Sequence, residues 1–233
     1  IRNADGDVAY LLGTARDVSE REELRDRVRE VDALYRIADA IGRTTELADL
    51  FDEAVATLLD ATDADRAAIL LYDETQTMRY VTWRDLSDTY RAATEGHSPW
   101  TPDMVDAEPV LIGDATGGGF EPSVAAAIAR EGIGALAFIP LVHDGRLLGK
   151  FMLYRDAPHE WPDREVRLCC TIANHLASAT LRTRARRALR DSREQLETIM
   201  STVDEGIIVQ SAAGEIVYAN DSAARVIGVG NGE

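Results

Sequence analysis

Residues 135–154 read ALAFIPLVHDGRLLGKFMLY, which is two apolar runs on either side of Asp144 and Gly145. An Asp-Gly pair between apolar runs is the strongest short-range signal for a β-hairpin, because both of its residues accept the positive φ angles of a tight turn. The stretch therefore predicts two antiparallel strands, at 135–142 and 147–154.

The sequence before this hairpin predicts a second one and a variable segment between them. The apolar runs 67–72 and 78–83 flank the polar turn 73–77, which is typical of antiparallel strands. The glycines at 117–119 favour a flexible loop. Between the hairpins we expect a short helix at 86–93, an irregular segment at 96–109 with three prolines, a brief strand at 110–112 and a helix at 122–130.

Two longer helical segments enclose this region. Residues 19–43 and 163–203 both carry apolar side chains at alternating spacings of four and three, which is the pattern of a coiled-coil seam. For the first helix the alternative is one amphipathic helix that packs only on its own domain. We expect both helices to pair in a parallel homodimer of this chain. The seam residues are Leu24, Val28, Val31 and Tyr35 in the first helix and Leu189, Leu196, Ile199 and Val203 in the second.

The composition excludes several partners. The 233 residues hold 25 lysines and arginines against 41 acidic side chains, a net charge of -16. A surface this acidic repels phosphate backbones and anionic lipids, so we expect neither nucleic acid nor a membrane as a partner. No apolar run reaches the ~20 residues that span a bilayer, and the expected location is cytoplasmic. Lys150 is the only lysine, which fits either a salt-adapted source or arginine-rich codon usage.

The order of these elements and four sequence stretches resemble a GAF domain over residues 33–185. The stretches are EPVLIGD at 108–114, REGIGALAFIPL at 130–141, GRLLG at 145–149 and IANHLA at 172–177. The resemblance implies an α+β fold, an antiparallel sheet with helices on its faces and long N- and C-terminal linker helices.

The two ends resemble pieces of PAS domains. Residues 1–18 are similar to the last strand and exit motif of one PAS domain, and residues 204–233 to the opening of another. PAS-GAF-PAS arrays imply the sensory region of a signal transduction protein. A histidine kinase is the expected parent, and a transcription regulator with a helix-turn-helix output is the alternative.

A search for chemistry finds no catalytic motif and no metal-ligand spacing, so we expect neither a catalytic residue nor a metal site in this segment. Cys169 and Cys170 are adjacent, which leaves a redox switch, a plain core position and a methionine sulfoxide reductase as alternatives. Bilin-attaching members of the resembling family use a cysteine near the pocket loops, where this chain has none. The signature of cyclic-nucleotide-binding members is also absent around Lys150, so the cofactor is left unknown.

What remains is the pocket. In the resembling family, ligands lie between the sheet and the segment joining the hairpins, here roughly residues 84–132. We expect a small-molecule ligand there, the alternative being a filled core in a structural dimerisation spacer. Aromatic walls with few polar groups suit such a site. The expected apolar walls are Trp83, Tyr90, Trp100, Phe120 and Phe138, and the expected polar anchor is Asp114.

Overall fold

The computed structural model describes residues 19–202 and 205–227. It divides into two compact units, an N-terminal unit up to Ser178 and a C-terminal unit from Ala179. The PAS-like segment 1–18 lies outside the described residues. In the described ranges no helix is both long enough and apolar enough to cross a membrane.

The N-terminal unit is an antiparallel five-stranded sheet with helices, which confirms the predicted α+β class. The strand order is β2-β1-β5-β4-β3, and all paired strands are antiparallel. Helix α5 begins in this unit and continues into the next. The elements are α1 (Ser19–Arg43), α2 (Leu47–Thr62), β1 (Arg66–Tyr72), β2 (Met78–Arg84), α3 (Asp88–Thr94), β3 (Val110–Ile112), a 3-10 turn (Ala115–Gly117), α4 (Pro122–Glu131), β4 (Ala135–His143), β5 (Arg146–Arg155) and α5 (Asp163–Thr202).

The two hairpins form for local reasons. Asp144 and Gly145 have φ angles of 48° and 74°, the pair of left-handed residues that a two-residue hairpin turn requires. In the turn between β1 and β2, the Asp73 carboxylate accepts hydrogen bonds from the backbone N–H groups of Thr75 at 2.8 Å and Thr77 at 2.9 Å. Both predicted hairpins are confirmed, and each strand boundary differs from the expectation by at most one residue.

Helices cover both faces of the sheet, which explains why nearly all inner residues of its central strands are apolar. Ala68, Leu70 and Leu136 belong to a buried cluster with side chains of α3 and α4. Because side chains alternate along a strand, the neighbouring Ile69 lies on the opposite face, where α2 contacts β1 and β2. Strand β1 lies between β2 and β5 and its inner residues are all buried. We call the first side of the sheet the α3–α4 face.

Helix α3 begins two residues later than the predicted 86–93. Ser87 precedes the helix in extended backbone, and its hydroxyl accepts a hydrogen bond from the backbone N–H of Tyr90 at 3.1 Å. An N-cap of this type fixes the first helical residue at Asp88. Leu86 therefore lies before the helix, although it is buried.

The C-terminal unit contains the second part of α5, the strands β6 (Ile208–Gln210) and β7 (Ile216–Ala219), and helix α6 (Asp221–Ile227). Asn220 joins these elements. Its side-chain oxygen accepts from the N–H groups of Ile207 and Ala223, at 2.8 and 2.9 Å, and its amide donates to the carbonyls of Met200 and Glu205, at 3.1 and 2.9 Å. The strand pair was expected at 206–210 and 215–218, and the observed β6 is shorter at its start.

Candidate functional site

A cavity of about 350 Å³ lies on the α3–α4 face of the sheet. Its floor is formed by β2, β3, β4 and β5, and its walls by α3, α4 and two loops. The volume is within the usual range for small-molecule sites. The lining residues are Tyr80, Tyr90, Thr94, His97, Ser98, Pro99, Val110, Ile112, Gly119, Phe120, Glu121, Val124, Ile128, Leu136, Phe138, Lys150 and Met152.

A hydrogen-bonded clasp holds α3 and α4 over the sheet. The carboxylate of Glu131, at the end of α4, accepts from the Ser87 backbone N–H at 2.7 Å and from its hydroxyl at 2.5 Å. The clasp fixes the start of α3 and thereby the position of Tyr90, whose ring meets that of Tyr154 edge to face at 5.8 Å. The cavity therefore lies beside a rigid aromatic corner.

Lys150 is the unusual side chain of this cavity. It is 2% exposed, and its Nζ donates to the backbone carbonyl of His97 at 2.7 Å. The same ammonium lies 4.9 Å from the centroid of the Phe138 ring, within cation–π range. In the described ranges no carboxylate forms an ion pair with it. Burial lowers the pKa of Lys150 from 10.5 to about 7, because a low-dielectric site disfavours the charged form.

The other titratable groups of the cavity are of two kinds. Burial raises the pKa of Tyr80 and of Tyr90, so both phenols are neutral at physiological pH. His97 and Glu121 are more exposed and lie at the rim, where His97 Nε2 is 3.7 Å from a carboxylate oxygen of Glu121. The inner cavity thus has apolar and phenolic walls, the side chains of Thr94 and Ser98, and one amine.

Half of the predicted pocket residues line the cavity: Tyr90, Phe120 and Phe138 do, whereas Trp83, Trp100 and Asp114 do not. The Arg91 guanidinium lies 3.7 Å above the Trp83 ring and covers it. Trp100 is buried beside the cavity, where its backbone carbonyl accepts from the Tyr72 hydroxyl at 2.9 Å.

Asp114 is a turn residue rather than an anchor. Its carboxylate accepts from the Thr116 hydroxyl at 2.6 Å and from the Thr116 backbone N–H at 2.9 Å. These bonds lower the pKa of Asp114, and they fix the 3-10 turn that follows it. The sequence search considered Lys150 only against the cyclic-nucleotide signature and missed it as a pocket residue. Its signal in the sequence was a lone lysine inside the otherwise apolar run of a predicted strand.

The two cysteines do not belong to the cavity. Cys169 is buried on α5 and Cys170 is half-buried, and neither lines the site. Burial raises the pKa of the Cys169 thiol, which disfavours the reactive thiolate. The methionine sulfoxide reductase alternative therefore has no cysteine where its chemistry would need one. Within the described ranges no cluster of three metal-ligating side chains occurs.

The predicted seam of α1 is a surface stripe of the N-terminal unit. Its four large side chains, at 24, 28, 31 and 35, are each 60–71% exposed. The residues that α1 buries, Ala33, Ile37 and Ala40, are offset from that stripe by two positions, or about 200° around the helix. In the C-terminal unit, Leu189, Leu196 and Ile199 of α5 are also more than half exposed. Val203 lies outside the described residues.

Known proteins resemble the chain in two segments. The sequence model of the GAF domain matches residues 46–180, and that of a PAS domain matches residues 194–233. The predicted boundaries at 33 and 185 stay predictions. No curated protein gives a significant match.

Solved structures are also similar to this chain. A domain assigned to a two-component sensor histidine kinase of Sinorhizobium meliloti 1021 is 41% identical, with a TM-score of 0.58, over 61% of this chain and 96% of that one. The GAF domain of another protein assigned as a sensor histidine kinase, from Pseudomonas syringae pv. tomato, is 12% identical, with a TM-score of 0.57, over 75% and 99%. The GAF domain of a phosphoenolpyruvate-protein phosphotransferase from Coxiella burnetii is 20% identical, with a TM-score of 0.55, over 69% and 98%. The last two share the fold alone.

Proposed function

The chain belongs to the GAF domain family and its residues 194–233 match a PAS domain, and we propose that its GAF domain is the ligand-binding sensory module of a histidine kinase. The single observation that carries this proposal is the cavity on the α3–α4 face. A core filled by its own side chains would leave no such space, so the cavity favours a ligand site over a structural spacer.

Contacts between the cavity wall and the start of α5 support a route for the signal. Ile112 lines the cavity, and its backbone carbonyl accepts from the indole N–H of Trp161 at 3.2 Å. The next residue, Gly113, accepts from the backbone N–H of His159 at 2.9 Å. Trp161 lies two residues before α5. A ligand that shifts β3 would therefore shift the first turn of α5.

The start of α5 is also joined to α1. Arg164 of α5 lies 3.3 Å from the Glu30 carboxylate and 3.6 Å from that of Asp26, both on α1. On this proposal, ligand binding shifts the population of two arrangements of these helices, because a ligand changes an equilibrium only by binding one state better.

We further propose that the helices act as a parallel homodimer. The α1 stripe supports this, because four large apolar side chains at coiled-coil spacing are exposed while a separate stripe of the same helix serves the domain core. Light scattering tests it. Wild type should give twice the 25.5 kDa chain mass, and Val28→Glu should give a monomer.

The control for that experiment is Val81→Glu, which places the same charge on an exposed apolar residue of β2. It should leave the dimer intact. A monomeric wild type at micromolar concentration, or dimers that survive Val28→Glu, would remove the α1 interface.

The cavity itself is tested with fluoroindole, a neutral aromatic probe, by fluorine NMR. We expect saturable binding to wild type that Val124→Trp abolishes, because Val124 is a half-buried lining residue of α4. Ala129→Trp is the matched control, since Ala129 is exposed on the same helix and does not line the cavity.

Amide hydrogen exchange in the first turns of α5 measures whether ligand binding in the cavity alters this helix. Saturation with fluoroindole should change the exchange rates in wild type and in Ala129→Trp, and leave them unchanged in Val124→Trp. Binding without any change in α5 would refute the relay, and absence of binding would refute the ligand site.

A further inference from the structure

We propose that the cavity takes a small monocarboxylate with an aromatic or aliphatic body, whose carboxylate pairs with the ammonium of Lys150. This inference rests on the proposed ligand-binding function and names the chemical class of the ligand. The body of the ligand would lie against Tyr90, Phe120 and Phe138, the aromatic side chains that line the cavity.

The buried charge of Lys150 favours an anionic ligand. A buried ammonium is costly unless a counterion and hydrogen-bond acceptors accompany it. Lys150 has one acceptor, the His97 carbonyl, for three N–H donors, and no ion-pair partner among the described residues. A ligand carboxylate supplies both the missing charge and two further acceptor oxygens.

The other titratable groups of the cavity do not supply a counterion for Lys150. The titratable groups that line the cavity with it are Tyr80 of β2, Tyr90 of α3, His97 of the following loop and Glu121 before α4. The tyrosines are neutral, and the Glu121 carboxylate lies at the rim beside His97. None of these groups neutralises the ammonium.

The backbone adds to the attraction. Helix α4 begins at Pro122 beside the cavity, and its N-cap residue Glu121 makes no side-chain capping hydrogen bond. The first N–H groups of a helix carry partial positive charge and favour an anion. The start of α4 would thus favour an anion in the same cavity that Lys150 lines.

A single cationic side chain in the cavity favours a ligand with one negative charge. Among the described residues that line the cavity, Lys150 is the only lysine or arginine. A phosphate monoester carries about -1.5 to -2 at neutral pH, which one ammonium leaves partly uncompensated in an apolar site. A carboxylate carries one charge, and the volume of about 350 Å³ accommodates a single-ring body.

The test compares two matched probes, para-fluorophenylacetate and its neutral amide, para-fluorophenylacetamide. On wild type at about pH 8, the carboxylate should bind at least ~10-fold more tightly than the amide, because it makes a charge-assisted bond to the ammonium. In Lys150→Met the two probes should bind within ~2-fold of each other, since the cation that discriminates them is gone.

A second readout depends on the proton. Because the lysine is largely neutral at about pH 8 in the empty site, binding the carboxylate should take up close to one proton. Calorimetry in two buffers of different ionisation enthalpy measures this uptake in wild type alone, so the proposal stays testable if Lys150→Met does not fold.

The outcomes separate this inference from the proposed function. Equal binding of the two probes by wild type overturns the carboxylate preference and leaves the ligand site intact. Failure of both probes and of fluoroindole overturns the two proposals together. Tighter binding of phenyl phosphate than of para-fluorophenylacetate would overturn the inference that the site prefers a singly charged ligand. Binding of para-fluorophenylacetate without proton uptake would overturn the role of Lys150.

Discussion

Replacing Lys150 by methionine removes a buried ammonium and should change how the stability of the GAF domain depends on pH. Methionine keeps an unbranched side chain of similar length, so the replacement fills the same space without charge. The change also deletes the hydrogen bond to the His97 carbonyl, which costs about 1 kcal/mol at every pH.

The direction of the pKa shift decides whether the stability of the wild type rises or falls with pH. The pKa of Lys150 falls from 10.5 in the unfolded chain to about 7 in the folded one, so the unfolded chain binds the proton more tightly between these values. Stability of the wild type therefore rises with pH across this window. The penalty is absent above pH 10.5 and complete below pH 7.

The size of the pKa shift gives the free-energy penalty of burying the charged lysine. At about 1.4 kcal/mol per pKa unit, the full penalty is on the order of 5 kcal/mol. Between pH 7 and pH 9 about 2 kcal/mol of it disappears from the wild type, because the folded lysine is neutral while the unfolded one stays charged, and removing that proton on folding costs less as the pH rises. Lys150→Met should be the more stable protein at pH 7, and its advantage should shrink by about 2 kcal/mol at pH 9.

The assay is urea unfolding of both proteins at pH 7, 8 and 9, at one protein concentration. The cysteines and tyrosines whose pKa burial raises, among them Cys169, Tyr80 and Tyr90, are present in both proteins and cancel in the difference. A stability difference that stays constant across the three pH values would show that the ammonium is not desolvated. The proposed pairing of Lys150 with a ligand carboxylate would then lose its basis.

Three further substitutions test the packing. Gly149→Ala should destabilise the domain by about 3 kcal/mol in urea unfolding, because a Cβ there would lie 2.1 Å from the Leu70 carbonyl oxygen; Gly42→Ala, with no atom within 4 Å, should cost nothing. Asn220→Ala should cost the C-terminal unit roughly 2–3 kcal/mol, because it removes the side-chain hydrogen bonds described above, seen as faster amide exchange in β6 and α6. Trp161→Phe should cost about 1 kcal/mol in urea unfolding, the value of one hydrogen bond.

The sequence predicts those parts of the fold that local chemistry decides. Asp144 and Gly145 determine the β4–β5 hairpin because only the turn residues need positive φ, and that requirement is visible in the sequence. Ser87 shows the limit of the same reasoning. Its capping role sets the start of α3, and the apolar pattern alone placed the helix two residues earlier.

The pocket residues were harder to predict because their roles depend on tertiary contacts. Trp83 has the composition of a pocket wall, but Arg91 stacks on its ring and covers it. Asp114 has the charge of an anchor, but its own turn supplies its hydrogen-bond donors. Lys150 was missed for the opposite reason, because a lysine is usually exposed and nothing local reveals that β5 is covered on both faces.

The cost of burying Lys150 bears on signalling as well as on binding. A side chain that opposes folding in the empty domain is retained only if another requirement outweighs it, and a counterion supplied by the ligand would meet that requirement. Binding would then restore stability that the empty domain lacks, because a ligand that binds only the folded state stabilises it. Because the Ile112 carbonyl accepts a hydrogen bond from the Trp161 indole before α5, the proposed relay would carry that difference to the helix that precedes the PAS segment.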